Sequence, residues 1–416
     1  MAYLLGVVLF ALAIFVSVCL HEAGHMLTAK VFGMKVTRYF AGFGPTLFSF
    51  RRGETEYGLK GIPLGGFVKI VGMTPQDDDV APEDEPRAMW RYSLWKRTVV
   101  MVAGSVTHFV LGFVVLWIML VFVGVPNPAV DPAQQRAMVT IAPCVYASED
   151  AQTCAASDPK SPAAVAGLHD GDVITALGGK PVKTYADLQK AIRGGKVGPV
   201  PMTYERDGRS HDVVVMLIGA TRHPLPDANG NVDSRQITVP ALGVVYEIPP
   251  EVPLMVTYGP VQGVQQSAAY TGKVFSLMGG AIANIPNKVP ALWRSLSGQP
   301  RDPNTPISVV GASRLGGETV EHQQWGVFLS ILISLNFFVG VFNLLPLLPL
   351  DGGHIAIAFF ERIRSWLYAR LRRPDPGRVN YLKLMPFTYA VILVFGGFTL
   401  LTVAADIVNP ITIFGK

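Results

Sequence analysis

The chain alternates between long apolar runs and polar stretches, and the runs dictate its architecture. Residues 3–20 carry no charge at all. A helix rises about 1.5 Å per residue, so about 20 apolar residues cross a bilayer core of about 30 Å. Four segments meet that length: Tyr3 to Ala29, Thr98 to Val125, Trp325 to Leu345, and Pro386 to Val408. The expected fold is a polytopic α-helical membrane protein with four transmembrane helices.

The stretches between the runs have patterns of their own. In the loop 30–97, Ala41-Gly42-Phe43-Gly44-Pro45 reads as a turn. Leu47 to Phe50, Glu54 to Tyr57 and Phe67 to Ile70 then read as short strands of membrane-associated β-hairpins. Hairpin backbone at membrane depth survives only against protein or a wet cavity. The acidic run Asp77-Asp78-Asp79 through Glu83-Asp84-Glu85 reads as a solvated loop. Segment 126–222 holds a helix, Tyr185 to Ile192, and strands Met202 to Arg206 and Val213 to Leu217 on either side of an Asp207-Gly208 turn. Segment 223–324 follows it. There Val261 to Ile285 is expected to be a helix lying on the membrane, because its apolar core is short and broken by Gly279-Gly280. Asn304 to Gly317 reads as a Gly-rich loop into the third span.

Composition agrees with spans plus a water-exposed domain. The chain of 416 residues is 50% hydrophobic and only 16% charged, too apolar for a soluble protein and too polar to lie wholly in lipid. Net charge is +5, with no basic stripe interleaved with aromatics, so nucleic acid is not an expected partner. The arginines and lysines cluster in the loops 30–97 and 351–385. The positive-inside rule puts both in the cytoplasm and leaves both termini, 409–416 included, and residues 126–324 outside. The N-terminal run lacks a basic n-region and a cleavage site, so it is expected to stay as a span. Cys19 lies in that run; Cys144 and Cys154 fit either one disulfide or two free thiols.

The first run ends in His21-Glu22-Ala23-Gly24-His25. Histidines four apart on a helix share a face and can bind one zinc ion. Glu22 then stands beside the metal, where it can take a proton from metal-bound water. Charged groups at the centre of a span cost roughly 2.5–3.5 kcal/mol each, so they are functional by default. Catalytic zinc usually takes three protein ligands. The missing carboxylate is expected to be Asp351, which follows the third span at the depth of the histidines. Pro346 and Pro349 break the helix before it, and Gly352-Gly353 permit a close turn. His108 in the second span either faces this site or makes a structural hydrogen bond; His354 stands behind the ligands or faces solvent.

These motifs, together with Gly42-Phe43-Gly44, Ile62-Pro63-Leu64-Gly65-Gly66-Phe67-Val68-Lys69 and Ala103-Gly104-Ser105, closely resemble the site-2 protease family of intramembrane zinc metalloproteases, peptidase family M50. The likeness is nearest to the bacterial RseP-like branch and its single-PDZ Rip-type members in actinobacteria. The run from Ser161 to Ile174, with the helix and strands after it, resembles a PDZ domain, here an extracytoplasmic PDZ-like α/β domain. The resemblance implies one zinc ion held by His21, His25 and Asp351, with Glu22 as catalytic base. It implies substrate contacts at Asn343 and along the hairpin at Gly42, Phe43 and Gly44. It also implies residence in the bacterial cytoplasmic membrane and substrates that are single-span membrane proteins, such as anti-sigma factors trimmed by another protease. A peptide ligand or adaptor for the PDZ-like domain belongs to the same reading. This chain departs from the family pattern in Pro346-Leu347-Leu348-Pro349, where Pro-x-Pro is usual, and in His108, where asparagine is common. The rival reading is an inactive membrane scaffold that captures exported chains through its PDZ-like domain.

Overall fold

The computed structural model describes residues 1–73, 80–147, 153–225, 235–246, 248 and 252–414. Of the acidic run, Asp77 to Asp79 lie outside these. The chain divides into two compact units, Met1–Val123 with Tyr258–Lys416, and Gly124–Thr257.

The first unit opens with helix α1, Ala2–Val31. Its buried residues, Gly6, Phe10, Ser17, His21, His25, Met26 and Ala29, form one inward stripe. Its other faces are just as apolar and exposed, as in a helix surrounded by lipid. Strands β1, Val36–Arg52, and β2, Thr55–Ile70, follow as one antiparallel hairpin. The expected set of three short strands is therefore corrected to two long ones. The expected turn at residues 41–45 lies inside β1. Gly42 and Gly44 adopt φ of +88° and +80° there, which bends the strand without ending it. The bend folds the hairpin across itself. Residues 36–41 pair with 66–70, Val36 opposite Ile70, and also with 56–59, Ala41 opposite Leu59. Residues 46–52 pair with the outer side of 55–60. Helix α2, Leu94–Ile118, continues through a π-type turn to Val123. Met26, Ala29, Met34, Val36, Ile70, Val100 and Met101 form one buried cluster that pins the base of the hairpin to α1 and α2.

The second unit is β-rich. A short strand β3, Val125–Pro126, precedes β4, Met138–Ile141. Then come helix α3, Pro162–Val165, strands β5, Asp172–Leu177, and β6, Lys180–Pro181, helix α4, Tyr185–Arg193, and the hairpin β7, Gly198–Arg206, with β8, Arg209–Arg222. Strands β9, Ile237–Ala241, β10, Val244–Tyr246, and β11, Met255–Val256, complete it. The main sheet runs β10-β4-β5-β7-β8-β9, with β6 beside β5; β11 pairs with β3. Leu188 and Ile192 of α4 pack onto Ile174, Met202, Val215 and Leu217 in its core. Thr184 caps α4, and Asp187 returns the bond to Thr184 N, a reciprocal box that fixes the helix start. Cys144 and Cys154 form a disulfide.

Asp172 of β5, its side chain 1% exposed, accepts two hydrogen bonds from the Arg206 guanidinium at 2.7 Å and one from His169 N at 2.8 Å. Burial alone would raise this carboxyl, but Arg206 and the His169 amide hold it below its ordinary value. A carboxyl held low in the folded state binds its proton less readily than in the unfolded chain. Its stabilisation is therefore complete above about pH 4 and is lost as pH falls through the folded value. Asp172→Asn should flatten the acid limb of this unit's stability curve, followed by thermal unfolding of the full chain from about pH 7 to pH 3. An acid limb identical to wild type would show that Asp172 carries none of it.

The first unit resumes with α5, Pro260–Leu296, a single helix of 37 residues with Pro286 and Pro290 inside it. It extends past the expected end at Ile285. Helix α6, Val309–Glu321, replaces the expected Gly-rich loop. Its glycines serve packing: a Cβ on Gly316 would lie 2.7 Å from Phe10 Cβ of α1, and one on Gly317 2.7 Å from Val7 Cγ2. Helix α7, Trp325–Asn343, leads to α8, Asp351–Arg370, and then to α9, Met385–Val408. Asp406 of α9 is buried against Arg301 at 2.6 Å and accepts from Ser308 N at 2.6 Å, while Arg314 donates to its backbone carbonyl at 3.2 Å. Among the described residues, α1, α2 with its π turn, α7 and α9 are long and apolar enough to cross a membrane.

Candidate metal centre

Two helices converge to build the site. The 3.6-residue period of α1 stacks His21 over His25, and both rings are buried, 6% and 2% exposed. After α7 the chain breaks its helix over residues 344–350 and restarts with Asp351 as the first residue of α8. Gly352 and Gly353 allow this restart, since a Cβ on either would lie within 2.3–2.6 Å of the backbone of residues 344–348. His21 Nε2 and His25 Nε2 lie 3.1 Å apart, and each is 3.4 Å from Asp351 Oδ2.

Three like-sized edges suit a cation. Ligands 2.0–2.1 Å from a tetrahedral centre sit about 3.3–3.4 Å from one another, which is the geometry of zinc. Asp351 Oδ2 is buried without a hydrogen-bond partner, as expected of an atom that serves a metal. His25 Nδ1 donates to the Val100 carbonyl at 2.7 Å, which keeps its Nε2 lone pair free on the side of the other two. The three residues fit a zinc ion, with their donor atoms within 4.8 Å of one another. Gly104 of α2 lies so near both rings that a Cβ on it would come within 2.4 Å of His25 Nε2 and 2.7 Å of His21 Nε2.

Glu22 stands on α1 beside His21, facing the hairpin. A Cβ on Gly66 of β2 would lie 3.5 Å from Glu22 Cγ, and the Val68 backbone lies near the Glu22 carboxylate. Tyr39 of β1 donates to the Cys19 carbonyl at 2.8 Å. The lane 66–70, read from the sequence as part of the hairpin, thus runs along the carboxylate. Gly42, Phe43 and Gly44 lie one lane over, at the bend; the Phe43 ring is half-exposed and stacks on Phe67 at 6.2 Å. Asn343 ends α7, ahead of the break that leads to Asp351.

His108 resolves as both of its expected alternatives. Its Nδ1 is 3.0 Å from Asn336 Oδ1 of α7, and its ring lies 5.1 Å from that of His21. Asn336 had no sequence signal of its own: it sits in an apolar run, and only the packing of α7 on α2 gives it a role. His354 stacks on Tyr381 with ring centres 5.9 Å apart. Burial, and then Glu361, push the Tyr381 phenol up to about 12, so it stays a neutral neighbour.

A family model described as peptidase family M50 matches residues 9–373. Over 418 residues, all of both chains, the sequence is 45% identical to the zinc metalloprotease Rip1 of Mycolicibacterium smegmatis. It is 43% identical over 415 residues, again all of both chains, to Rip1 of Mycobacterium tuberculosis (strain H37Rv). A putative zinc metalloprotease of Mesorhizobium japonicum is 29% identical over 89% of this chain and 90% of its own. Among solved structures, the PDZ domain of an SdrC-like protein from Listeria monocytogenes matches 26% of this chain and 87% of that one, at 22% identity and a TM-score of 0.16, a likeness that carries no fold assignment.

Proposed function

The chain belongs to peptidase family M50 and is a membrane-embedded zinc metalloprotease, and from that premise we propose that it cuts peptide bonds within the membrane spans of single-span proteins, with His21, His25 and Asp351 holding the zinc. The observation that carries this reading is the buried triangle of His21, His25 and Asp351, whose edges match tetrahedral zinc, placed at the end of an apolar helix. Zinc, when bound, supplies polarisation of a peptide carbonyl and acidification of a water molecule. Glu22 takes the proton of the attacking water and returns it to the leaving amine nitrogen.

A helical substrate hides its carbonyls in its own hydrogen bonds and must unwind before it can be cut. The border lane 66–70 supports a reading in which the unwound chain is added to the hairpin as a further strand, with Gly42, Phe43 and Gly44 shaping the bend and Asn343 holding substrate backbone. The basic loops support a cytoplasmic site, a β-rich unit outside the cell and residence in the bacterial cytoplasmic membrane. The β-rich unit is read as a PDZ-like filter or docking point that admits proteins already trimmed by another protease, anti-sigma factors being the favoured class.

The test is to hold substrates on the Glu22→Gln protein in its native membrane and map where the wild-type enzyme cuts them. Cuts should fall inside apolar segments of 18 or more residues, the length read as a span. Cuts confined to water-exposed domains, or capture by the β-rich unit with no cutting at all, would overturn the proposal.

A further inference from the structure

Metal-binding imidazoles ordinarily donate their remaining N–H to a partner, which fixes both the tautomer and the direction of the ring. His25 does so through Val100. His21 does not: its Nδ1 is buried and has no hydrogen-bond partner. The ring packed against it is His108 of α2, 2% exposed, with centroids 5.1 Å apart and planes tilted by 45°.

The proton on His108 is set from its far side. Asn336 Nδ2 donates to the Leu332 carbonyl at 2.9 Å, so the amide turns its oxygen to His108 Nδ1 at 3.0 Å. That oxygen can only accept, so Nδ1 carries the hydrogen and Nε2 is left as an acceptor. An acceptor is thus left on the ring that packs against the unpartnered N–H of His21. A centroid separation of 5.1 Å leaves about 2.8 Å between nitrogens turned toward each other, which is hydrogen-bond distance.

We propose that His108 is the positioning residue for His21. Its Nε2 accepts the His21 Nδ1–H after rotation of the rings out of their tilt, and so holds His21 in the tautomer whose Nε2 faces His25 and Asp351. The full chain runs from the Leu332 carbonyl through Asn336 and His108 to His21, tying α7 and α2 to the ligands on α1. The proposal rests on the zinc-ligand role given to His21 above.

The experiment measures zinc affinity of the purified full-length protein by chelator competition, together with the visible spectrum of its cobalt-substituted form. His108→Leu should weaken zinc binding 10–100-fold, the usual effect of losing a ligand's hydrogen-bond partner, and should alter the cobalt bands. His108→Gln, whose carbonyl can accept the same hydrogen, should restore most of the affinity. Asn336→Leu leaves His108 in place but frees its tautomer, and should give a smaller loss; it also decides the matter if His108→Leu does not fold. Wild-type affinity in His108→Leu, a Gln variant as weak as the Leu variant, or wild-type affinity in Asn336→Leu when that variant must decide, would overturn the proposal. Asp351→Ala separates the two levels. If it also leaves zinc affinity unchanged, the metal centre is misassigned; if it lowers affinity and His108→Leu does not, the positioning role alone fails.

Discussion

Glu22→Gln should slow hydrolysis of a membrane-embedded peptide by about 10²–10⁴-fold, the usual contribution of a positioned acid–base group, while leaving zinc content unchanged. The substitution keeps the side chain's size and its place between α1 and the lane 66–70. It removes only the capacity to take up and return a proton. The carboxamide is isosteric with the carboxylate, so the local fold has no reason to move. The atoms proposed to hold zinc belong to His21, His25 and Asp351, none of which the substitution alters. Metal analysis of the purified variant beside a cleavage assay on a single-span substrate checks both halves. Cleavage at the wild-type rate would remove Glu22 from the mechanism.

Gly104→Ala should abolish activity through the opposite route, by taking away the metal while the protein stays folded. A Cβ at this position would stand 2.4 Å from His25 Nε2, 2.5 Å from His21 Cε1 and 2.7 Å from His21 Nε2. His25 cannot retreat without breaking its bond to Val100, so the triangle must open. Alanine is also the better helix former, by about 1 kcal/mol, so α2 itself gains rather than loses. The expected result is a chain that still folds, its helix-propensity gain offsetting part of the overpacking cost, whose zinc affinity falls at least tenfold, with cleavage falling alongside. The measurement is zinc per chain after dialysis, paired with thermal unfolding. Full zinc occupancy would mean that the helices can part at Gly104 without cost.

How much of this was legible beforehand varies by residue. His21 and His25 declare their shared face through a spacing of four, and Asp351 declares itself through the broken helix before it. The prediction that these residue types would converge needs only helix geometry and membrane depth. His108 showed as a polar group in the second span, but its partner Asn336 carries no such signal, because 228 positions separate them and only the packing of α2 on α7 makes them neighbours. Glycine misled in both directions. At residues 311, 316 and 317 it suggested a loop, yet close helix contact is what requires it there. At 42 and 44 it suggested a turn, yet it bends a continuing strand. The short apolar core broken at Gly279-Gly280 suggested a helix ending at Ile285, yet α5 runs on to Leu296 with Pro286 and Pro290 inside it.

The buried Arg301–Asp406 pair has a mechanical consequence. Three of the four buried residues of α9, Thr402, Ala405 and Asp406, lie at its C-terminal end, where the ion pair and the Ser308 amide rivet it to its neighbours. The opposite end holds only Val391 under cover, and Leu393 and Val394 beside it are 75% and 69% exposed. The Met385 half of α9 is held instead by apolar contacts such as the Phe395 ring against Phe342 of α7 at 5.2 Å, so polar anchoring is confined to one end of the helix.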